Sequence, residues 1–290
     1  MGVIVGLDIG GSTTKIIGLD SGKLLSQEFV KASDPIASAF GALGKFTSQH
    51  RLPLEAISHV MVTGVGASHL QGDLLGIPTL RTPEFEAIGL GGLYISNLKE
   101  AVVVSMGTGT AFIQADARGV RHLIGSGVGG GTLLGLSNRM INIRDFQTFT
   151  EVAEGGNLHN IDLSIGDISR DEIPGLSSDT TASNFGKITD MASPADLALG
   201  IVNLVFQSVG TTAVLAARLS GIRTIVFTGN LTLVGQGKRV LDNFSHLYNV
   251  EIIVPDGAEF ATAIGAALCC PILRAPASTN RPAAREGVDD

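Results

Sequence analysis

A chain of 290 residues with 44% hydrophobic and 16% charged side chains can bury a large core, which excludes disorder over most of its length. A formal net charge of −7 and a pI near 5.3 exclude the basic face that a nucleic acid or an anionic membrane surface demands. The two cysteines, Cys269 and Cys270, are adjacent in an apolar setting, so no disulfide framework is expected and a reducing cytosol fits. The histidines lack ligand spacing for zinc, no leader pattern precedes Asp8, and the lack of a run of roughly 18 uninterrupted apolar residues gives no expectation of a membrane span.

Glycine supplies 38 residues, about 13% against a usual ~7%, concentrated where apolar runs end: Gly10-Gly11, Gly107, Gly109, the run 125–131 and Gly229. Glycine at a strand end lets backbone N–H groups approach a phosphate that a side chain would hold off. Val3–Asp8 reads as a strand, Ile9–Ser12 as a bend, and Lys15–Ile17 as part of a returning strand. A helix is expected around Ile36–Phe46, then a strand over His59–Thr63 ending at Gly64. Another helix opens at Thr82-Pro83-Glu84, with Thr82 as its cap and Pro83 in its first turn. Ala101–Ser105, Met106–Thr110 and Ala111–Ile113 repeat the first hairpin about 97 residues on, which predicts an internal duplication and a two-lobed α/β chain.

A helix follows the glycine run at Thr132–Leu136, and residues 150–190, polar and turn-rich, are expected to form part of a substrate wall. Ser193–Asp196 starts and Ser220-Gly221 stops the longest helix. Its apolar residues wrap nearly the whole circumference and predict burial on all sides. Thr224–Thr228 reads as a buried strand, Ala261–Leu268 as a helix of small residues, and the segment from Arg274 as a solvated tail.

Asp8-Ile9-Gly10-Gly11-Ser12-Thr13-Thr14-Lys15 combines glycines, hydroxyl donors and a compact cation, the ingredients of a phosphate grip, with Asp8 at the strand end placed to hold Mg²⁺ through water. Alone, it is as readily an ordinary hairpin with a surface lysine. Gly107-Thr108-Gly109-Thr110 on an opposing wall turns the pair into a nucleotide clamp. Gly129-Gly130-Gly131-Thr132 ahead of a helix offers N–H groups to an anion or ribose, or is a loop with a Thr cap. Thr228-Gly229-Asn230 suits flat approach by a base, or a plain turn. Glu84 and Glu86 either complement a helix dipole or, for Glu84, face a cleft as the base that accepts a hydroxyl proton. Arg121-His122 either grips a substrate carboxylate or is a solvated pair.

In this order, the motifs make the chain resemble the type II, eukaryotic-like pantothenate kinases of the acetate/sugar kinase–Hsp70–actin superfamily, from about residue 3 to 270. Besides those above, Pro83–Ala87, Gly156-Asn157 with Ile161–Leu163, Ala182-Ser183-Asn184-Phe185-Gly186 and Ala263–Leu268 carry the likeness. The resemblance implies a two-lobed actin-like ATPase fold, a duplicated ribonuclease H-like unit. Residues 1–99 would form an N-terminal lobe with the first hairpin and the catalytic Glu84. Residues 100–273 would form a C-terminal lobe with the second hairpin, the adenosine site and a dimer helix, and residues 274–290 a flexible tail. It further implies ATP and Mg²⁺, phosphorylation of pantothenate as the first step of coenzyme A biosynthesis, a cytoplasmic homodimer, and no nucleic-acid or membrane partner.

Gly10, Gly11, Ser12, Thr13, Thr14, Lys15, Thr108, Gly130, Gly131, Thr132, Leu133, Leu134, Phe146 and Asn230 fall on ATP-contacting positions of the family. Arg121 or His122 falls where relatives place an arginine near the pantothenate carboxylate, and the permanent charge of Arg121 makes it the expected contact. Ala111 stands where relatives commonly carry a serine near the substrate. A related kinase acting on an amino sugar would share every nucleotide motif, and a nucleotide-binding sensor without turnover would share the cleft.

Overall fold

Two five-stranded sheets with the same strand order carry the chain. The computed structural model describes residues 2–11, 13–31, 34–171 and 173–274; Ser12 and the expected tail beyond residue 274 lie outside the described residues. In the first sheet, β1 (Val3–Ile9), β2 (Thr13–Asp20) and β3 (Lys23–Lys31) form an antiparallel meander. Beside β1, β4 (Ile57–Thr63) and β5 (Thr79–Arg81) add in parallel, giving the order β3-β2-β1-β4-β5. The second sheet repeats the plan with β6 (Ala101–Met106), β7 (Thr110–Asp116) and β8 (Gly119–Ser126). After a separate pairing of β9 (Leu163–Ser164) with β10 (Thr181–Ser183), β11 (Thr224–Thr228) and β12 (Glu251–Ile253) add in parallel beside β6. The duplication expected from the two hairpins is thus a duplication of whole sheets, including a third strand that the hairpin pattern leaves out.

Helix α1 (Pro35–His50) starts on the Asp34 carboxylate, which accepts from the Ala37 N–H at 2.7 Å, and it lays Ala39, Ala42, Leu43 and Phe46 on the first sheet. Helix α2 (Glu84–Ser96) starts one residue later than its sequence suggests. The Thr82 N–H still bonds to the Val62 carbonyl at 2.8 Å, so Thr82 belongs to the sheet edge, and Pro83 occupies the cap position without a capping side chain. Helices α3 (Gly130–Ile141), α4 (Phe146–Glu154) and the short α5 (Ile165–Ile168) precede α6 (Pro194–Ser220). Ser193 and Asp196 cap α6 reciprocally and Gly221 ends it at φ 75°. Helix α7 (Gly235–Tyr248) separates the last two strands, and α8 (Ala261–Leu268) and α9 (Pro271–Arg274) close the described chain.

The outer side of α6 corrects the expectation of burial all round: Leu215 and Leu219 are 59% and 78% exposed, whereas Val205 and Val209 face the core with Phe206, Phe112 and Phe227. By length and composition α6 would suffice to cross a bilayer, but most of its apolar window packs inside the protein, where Asn203 and Asp196 are also buried. The Ile161–Leu163 and Ala182–Gly186 motifs meet on this buried side. The Asp162 carboxylate accepts from the Phe185 N–H at 2.8 Å and from Asn203 Nδ2 at 2.6 Å, tying the β9–β10 segment to α6. Burial alone would raise the Asp196 carboxyl, yet hydrogen bonds from the Ser193 and Asn157 N–H groups outweigh it and hold the pKa at about 2.

The two sheets exchange covers. Helix α2, which follows the last strand of the first sheet, packs on β6, β7 and β8, while α8, which follows the last strand of the second, packs on β1, β2 and β4. Between the sheets the two helices cross at backbone distance. A Cβ on Gly91 would run into the carbonyl oxygen of Ala261, and one on Gly265 into that of Ala87, a reciprocal contact of two four-residue steps. Gly265→Ala should cost at least the ~1–3 kcal/mol of ordinary overpacking, because the obstruction is a carbonyl that cannot rotate away. Gly135→Ala, exposed on α3 with open space around it, should be neutral or stabilising by up to ~1 kcal/mol. Urea titration of the pair compares them, and equal midpoints would discount the crossing.

Candidate functional site

A cleft of about 1570 Å³ opens between the sheets. The tips of the two meanders meet across it, since a Cβ on Gly11 would stand 3.5 Å from Thr108 Oγ1. Alternation along β1 turns Val3, Val5, Leu7 and Ile9 into the α1 core and leaves Ile4, Gly6 and Asp8 on the α8 side. Asp8, the last of these, is flanked in register by Lys15 on β2 and Thr63 on β4. Lys15 is 8% exposed and lines the cleft, and among the described residues neither an ion pair nor a side-chain hydrogen bond holds its ammonium. A nearly buried cation whose described protein partner is the charge of neighbouring Asp8 alone, with no ion pair or side-chain hydrogen bond, is poised for an anion from outside the chain.

Burial pushes the Asp8 carboxyl above the usual carboxylate range, and the charge of Lys15 draws it partly back. Glu84, at the start of α2, is also held above its usual range, first by lost solvent and then by the negative charge of Asp8. That is the direction a general base near neutral pH requires. Glu86, two residues on, is not part of the lining. The fourth strand of each sheet ends in a glycine with positive φ, Gly64 at 86° and Gly229 at 91°. A Cβ on Gly64 would come 2.6 Å from Asp8 Oδ1, and one on Gly229 2.6 Å from the Met106 carbonyl.

Of the residues expected on nucleotide-contacting positions, Gly10, Gly11, Thr13, Lys15, Thr108, Gly130, Gly131, Leu134, Phe146 and Asn230 line the cleft. Thr14 and Leu133 do not: strand alternation buries the first at 1% exposure, and the helical period sends the second into the core at 0%. Thr132 also lies outside the lining, its hydroxyl engaged with the Gly127 carbonyl at 3.0 Å. The N–H groups of Gly130 and Gly131, expected to receive an anion, instead bond to the Gly107 and Thr108 carbonyls at 2.9 and 2.8 Å and brace the second turn. Residues 155–228, some of them expected on a substrate wall, contribute nothing to the lining among those described.

Ala111 and His122 line the cleft, but Arg121 does not, against expectation. A β-bulge is the reason. Phe112 pairs with Ile124 and Ile113 with His122, leaving Leu123 as an extra residue. Beyond that step the alternation of β8 is reversed, so His122 joins the cleft face and Arg121 the opposite one, where it donates to Gln114 Oε1 at 2.6 Å. His122 instead stacks on Phe85, ring centroids 4.2 Å apart and planes 5° from parallel.

Sequence reasoning also missed Phe29 and Lys31, which share the cleft face because β3 pairs Phe29 with Lys15 and Lys31 with Thr13. Lys31 reaches Asp145, the cap of α4, at 3.5 Å across the cleft from the first sheet; both are exposed, so the pair is worth little on its own. Glu151, Glu154 and Glu259 complete an acidic lining that no motif announced. Among the described residues no three His, Cys, Asp or Glu side chains cluster to cage a metal. Asp8, a carboxylate with no hydrogen-bond donor among the described residues, fits Mg²⁺, which takes one or two carboxylates plus waters and phosphate oxygens.

Residues 97–241, half of the chain, match the Fumble family. A type II pantothenate kinase from Staphylococcus aureus is 27% identical over 276 residues, covering 90% of this chain and 97% of that protein. Among solved structures, the activator of the 2-hydroxyisocaproyl-CoA dehydratase from Clostridium difficile with bound ADPNP aligns over 92% of this chain and 93% of its own, with a TM-score of 0.67 at 20% identity. A ROK family glucokinase from Streptomyces griseus in complex with glucose and AMPPNP covers 92% and 98%, with a TM-score of 0.56 at 15% identity. The fold is the actin-like ATPase fold that the motifs led one to expect.

An acid whose folded-state pKa lies above its unfolded value destabilises the fold once ionised. The penalty is absent below the unfolded value of about 3.9 and complete above the folded one. Asp8→Asn should therefore raise the melting temperature at pH 7 by about 2 °C or more, and the gain should vanish by about pH 3.5. A variant less stable than wild type at pH 7 would mean that Lys15 outweighs burial.

Proposed function

We propose, given that the chain belongs to the Fumble family of type II pantothenate kinases, that it transfers the γ-phosphoryl group of ATP to pantothenate, yielding 4′-phosphopantothenate, the first step of coenzyme A biosynthesis. The observation that carries the reading is Lys15: a nearly buried ammonium, beside Asp8 and held by no side-chain hydrogen bond or ion pair among the described residues, facing a second glycine turn across a cleft that also holds Glu84. Lys15 and the two turns hold the phosphates, while Leu134, Phe146, Leu231 and Leu233 offer an apolar end for the base. Mg²⁺, when bound, would be held by Asp8 and phosphate oxygens and would neutralise phosphate charge. Glu84 orients the acceptor hydroxyl and takes its proton as the oxygen–phosphorus bond forms and ADP leaves. Most of the catalytic effect is positioning and charge balance.

ADP release in the presence of pantothenate, N-acetylglucosamine or no acceptor tests the assignment; only pantothenate should stimulate it, and stimulation by the amino sugar alone would transfer the acceptor role. Glu84→Gln should keep ATP affinity and lower kcat by about 10² or more, with Glu86→Gln active. The acid limb of the wild-type kcat/KM profile should lie above the ordinary glutamate value of about 4.3, in the direction of the Glu84 shift. A Glu84→Gln enzyme as fast as wild type would remove the base from this residue.

We also infer a homodimer through the outer face of α6, which Leu215 and Leu219 leave apolar. Leu215→Glu with Leu219→Glu should give a folded monomer by light scattering, whereas charges at Val205 and Val209 would unfold the core they occupy. A wild-type protein monomeric at micromolar concentration would end this inference. The acidic net charge and the buried Cys269 and Cys270, neither of them in a disulfide, support a cytosolic setting without nucleic-acid or membrane partners.

A further inference from the structure

Two threonine hydroxyls are shut in beside the cleft. Thr63 is 1% exposed and Thr82 7%, and neither side-chain oxygen has a hydrogen-bond partner among the described residues. Their places follow from the register of the first sheet. Lys15 pairs with Asp8, and Asp8 with Thr63. Met61 and Val62 pair with Leu80 and Arg81, so the next step sets Thr82 against Thr63, and the Thr82 N–H carries the ladder on to the Val62 carbonyl. Ile4, Ile17 and Met61 face α8, and alternation turns Asp8, Lys15 and Thr63 to that same face. Lys15, Asp8, Thr63 and Thr82 thus form one row across β2, β1, β4 and the end of β5, with ~4.8 Å between neighbouring strands. Glu84 follows two residues after the end of the row. A Cβ on Gly64 would stand 2.6 Å from Asp8 Oδ1, so the Asp8 carboxylate already lies over the end of β4, next to Thr63. Asp8 and Glu84 line the cleft, and among the described residues neither carboxylate accepts a hydrogen bond.

We infer that Thr63 and Thr82 are positioning residues of the transfer step: with nucleotide bound, the Thr63 hydroxyl donates to the Asp8 carboxylate and the Thr82 hydroxyl to that of Glu84. This rests on the roles given above to Asp8 and Glu84. Two donors without acceptors stand beside two acceptors without donors, and rotation about a single Cα–Cβ bond redirects a threonine hydroxyl without moving the backbone. A hydroxyl bond to a carboxylate is charge-assisted and short, so it fixes the direction of the group it meets. At Asp8 it holds one oxygen and leaves the other for Mg²⁺; at Glu84 it leaves the second oxygen to take the acceptor proton. Idle hydroxyls at these two positions would only be a cost, since valine has the same shape, favours strands and buries no unsatisfied group.

The test measures nucleotide affinity and turnover in Thr63→Val, Thr63→Ser, Thr82→Val and Thr82→Ser, with melting temperatures of the free proteins. Free Thr63→Val and Thr82→Val should melt at or above the wild-type temperature, because each removes a buried hydroxyl without a partner. Thr63→Val should weaken binding of a non-hydrolysable ATP analogue about 10-fold or more in Mg²⁺ and leave the affinity in EDTA unchanged. Thr82→Val should lower kcat with pantothenate about 10-fold or more while KM for ATP stays within about 3-fold. Serine, which keeps the hydroxyl and loses only the methyl group, should restore most of both. Valine variants with wild-type affinity and kcat would overturn the inference. Serine variants as impaired as the valines would overturn it too, since packing alone would then explain the loss. Nucleotide binding by the wild type that is indifferent to Mg²⁺ would remove the role of Asp8, and that of Thr63 with it. If pantothenate is inert and N-acetylglucosamine releases ADP, the acceptor reading fails alone, and kcat with the sugar decides Thr82. No turnover with either acceptor would end the roles of Glu84 and Thr82 together, while the affinities still decide Thr63.

Discussion

Everything at the cleft depends on how closely α2 and α8 can approach. Helices packed through ordinary side chains lie about 8–10 Å apart, and at that spacing the two sheets they cover would stand further from each other. Here Gly91 and Gly265 remove the side chains at the crossing, and Ala87 and Ala261 supply the surfaces that fill the space. The small-residue character of both helices is therefore a condition on distance. It brings the two glycine turns to the point where Gly11 and Thr108 nearly touch, and it carries the first turn of α2, with Glu84 and Phe85, into the cleft.

The same crossing sets the electrostatics. Asp8 and Lys15 sit toward the strand ends on the face of the first sheet that α8 covers further back through Ile4, Ile17 and Met61. An ionised carboxylate and an ammonium kept in a partly dry cleft are costly groups, and no side-chain hydrogen bond among the described residues satisfies them as three donors each satisfy Asp162 and Asp196. The two kinds of buried acid differ in what surrounds them: Asp162 and Asp196 hold the β9–β10 region to α6, while Asp8 has the charge of Lys15 beside it and no hydrogen-bond donor among the described residues.

Much of this was legible in the sequence because it depends on local rules. Two glycine hairpins announced the duplication, Ser193 with Asp196 and Gly221 bounded α6, and Asp8, Lys15 and Glu84 were singled out by type and position. What was hidden depends on partners far away in the chain. The glycines of α3 show that N–H groups are available, but not that the Gly107 and Thr108 carbonyls use two of them. The apolar circumference of α6 does not reveal that, among the described residues, Leu215 and Leu219 are left exposed. The largest displacement came from a single residue: with regular pairing Arg121 would share the face of Ala115, and the extra Leu123 exchanges it for His122. Period-two reasoning carries a side chain to the wrong face whenever a bulge is unseen.

The exchange of helices between the sheets bears on how the chain is made. The inner face of the first sheet, with Ile4, Ile17 and Met61, is complete once β4 has formed, yet its cover, Ala263 to Ala267, is among the last described parts to be translated. During synthesis that face must wait for some 200 further residues to leave the ribosome, exposed and open to premature contacts. A chain cut short before α8 would contain every described strand of both sheets and both glycine turns, but no closed cleft.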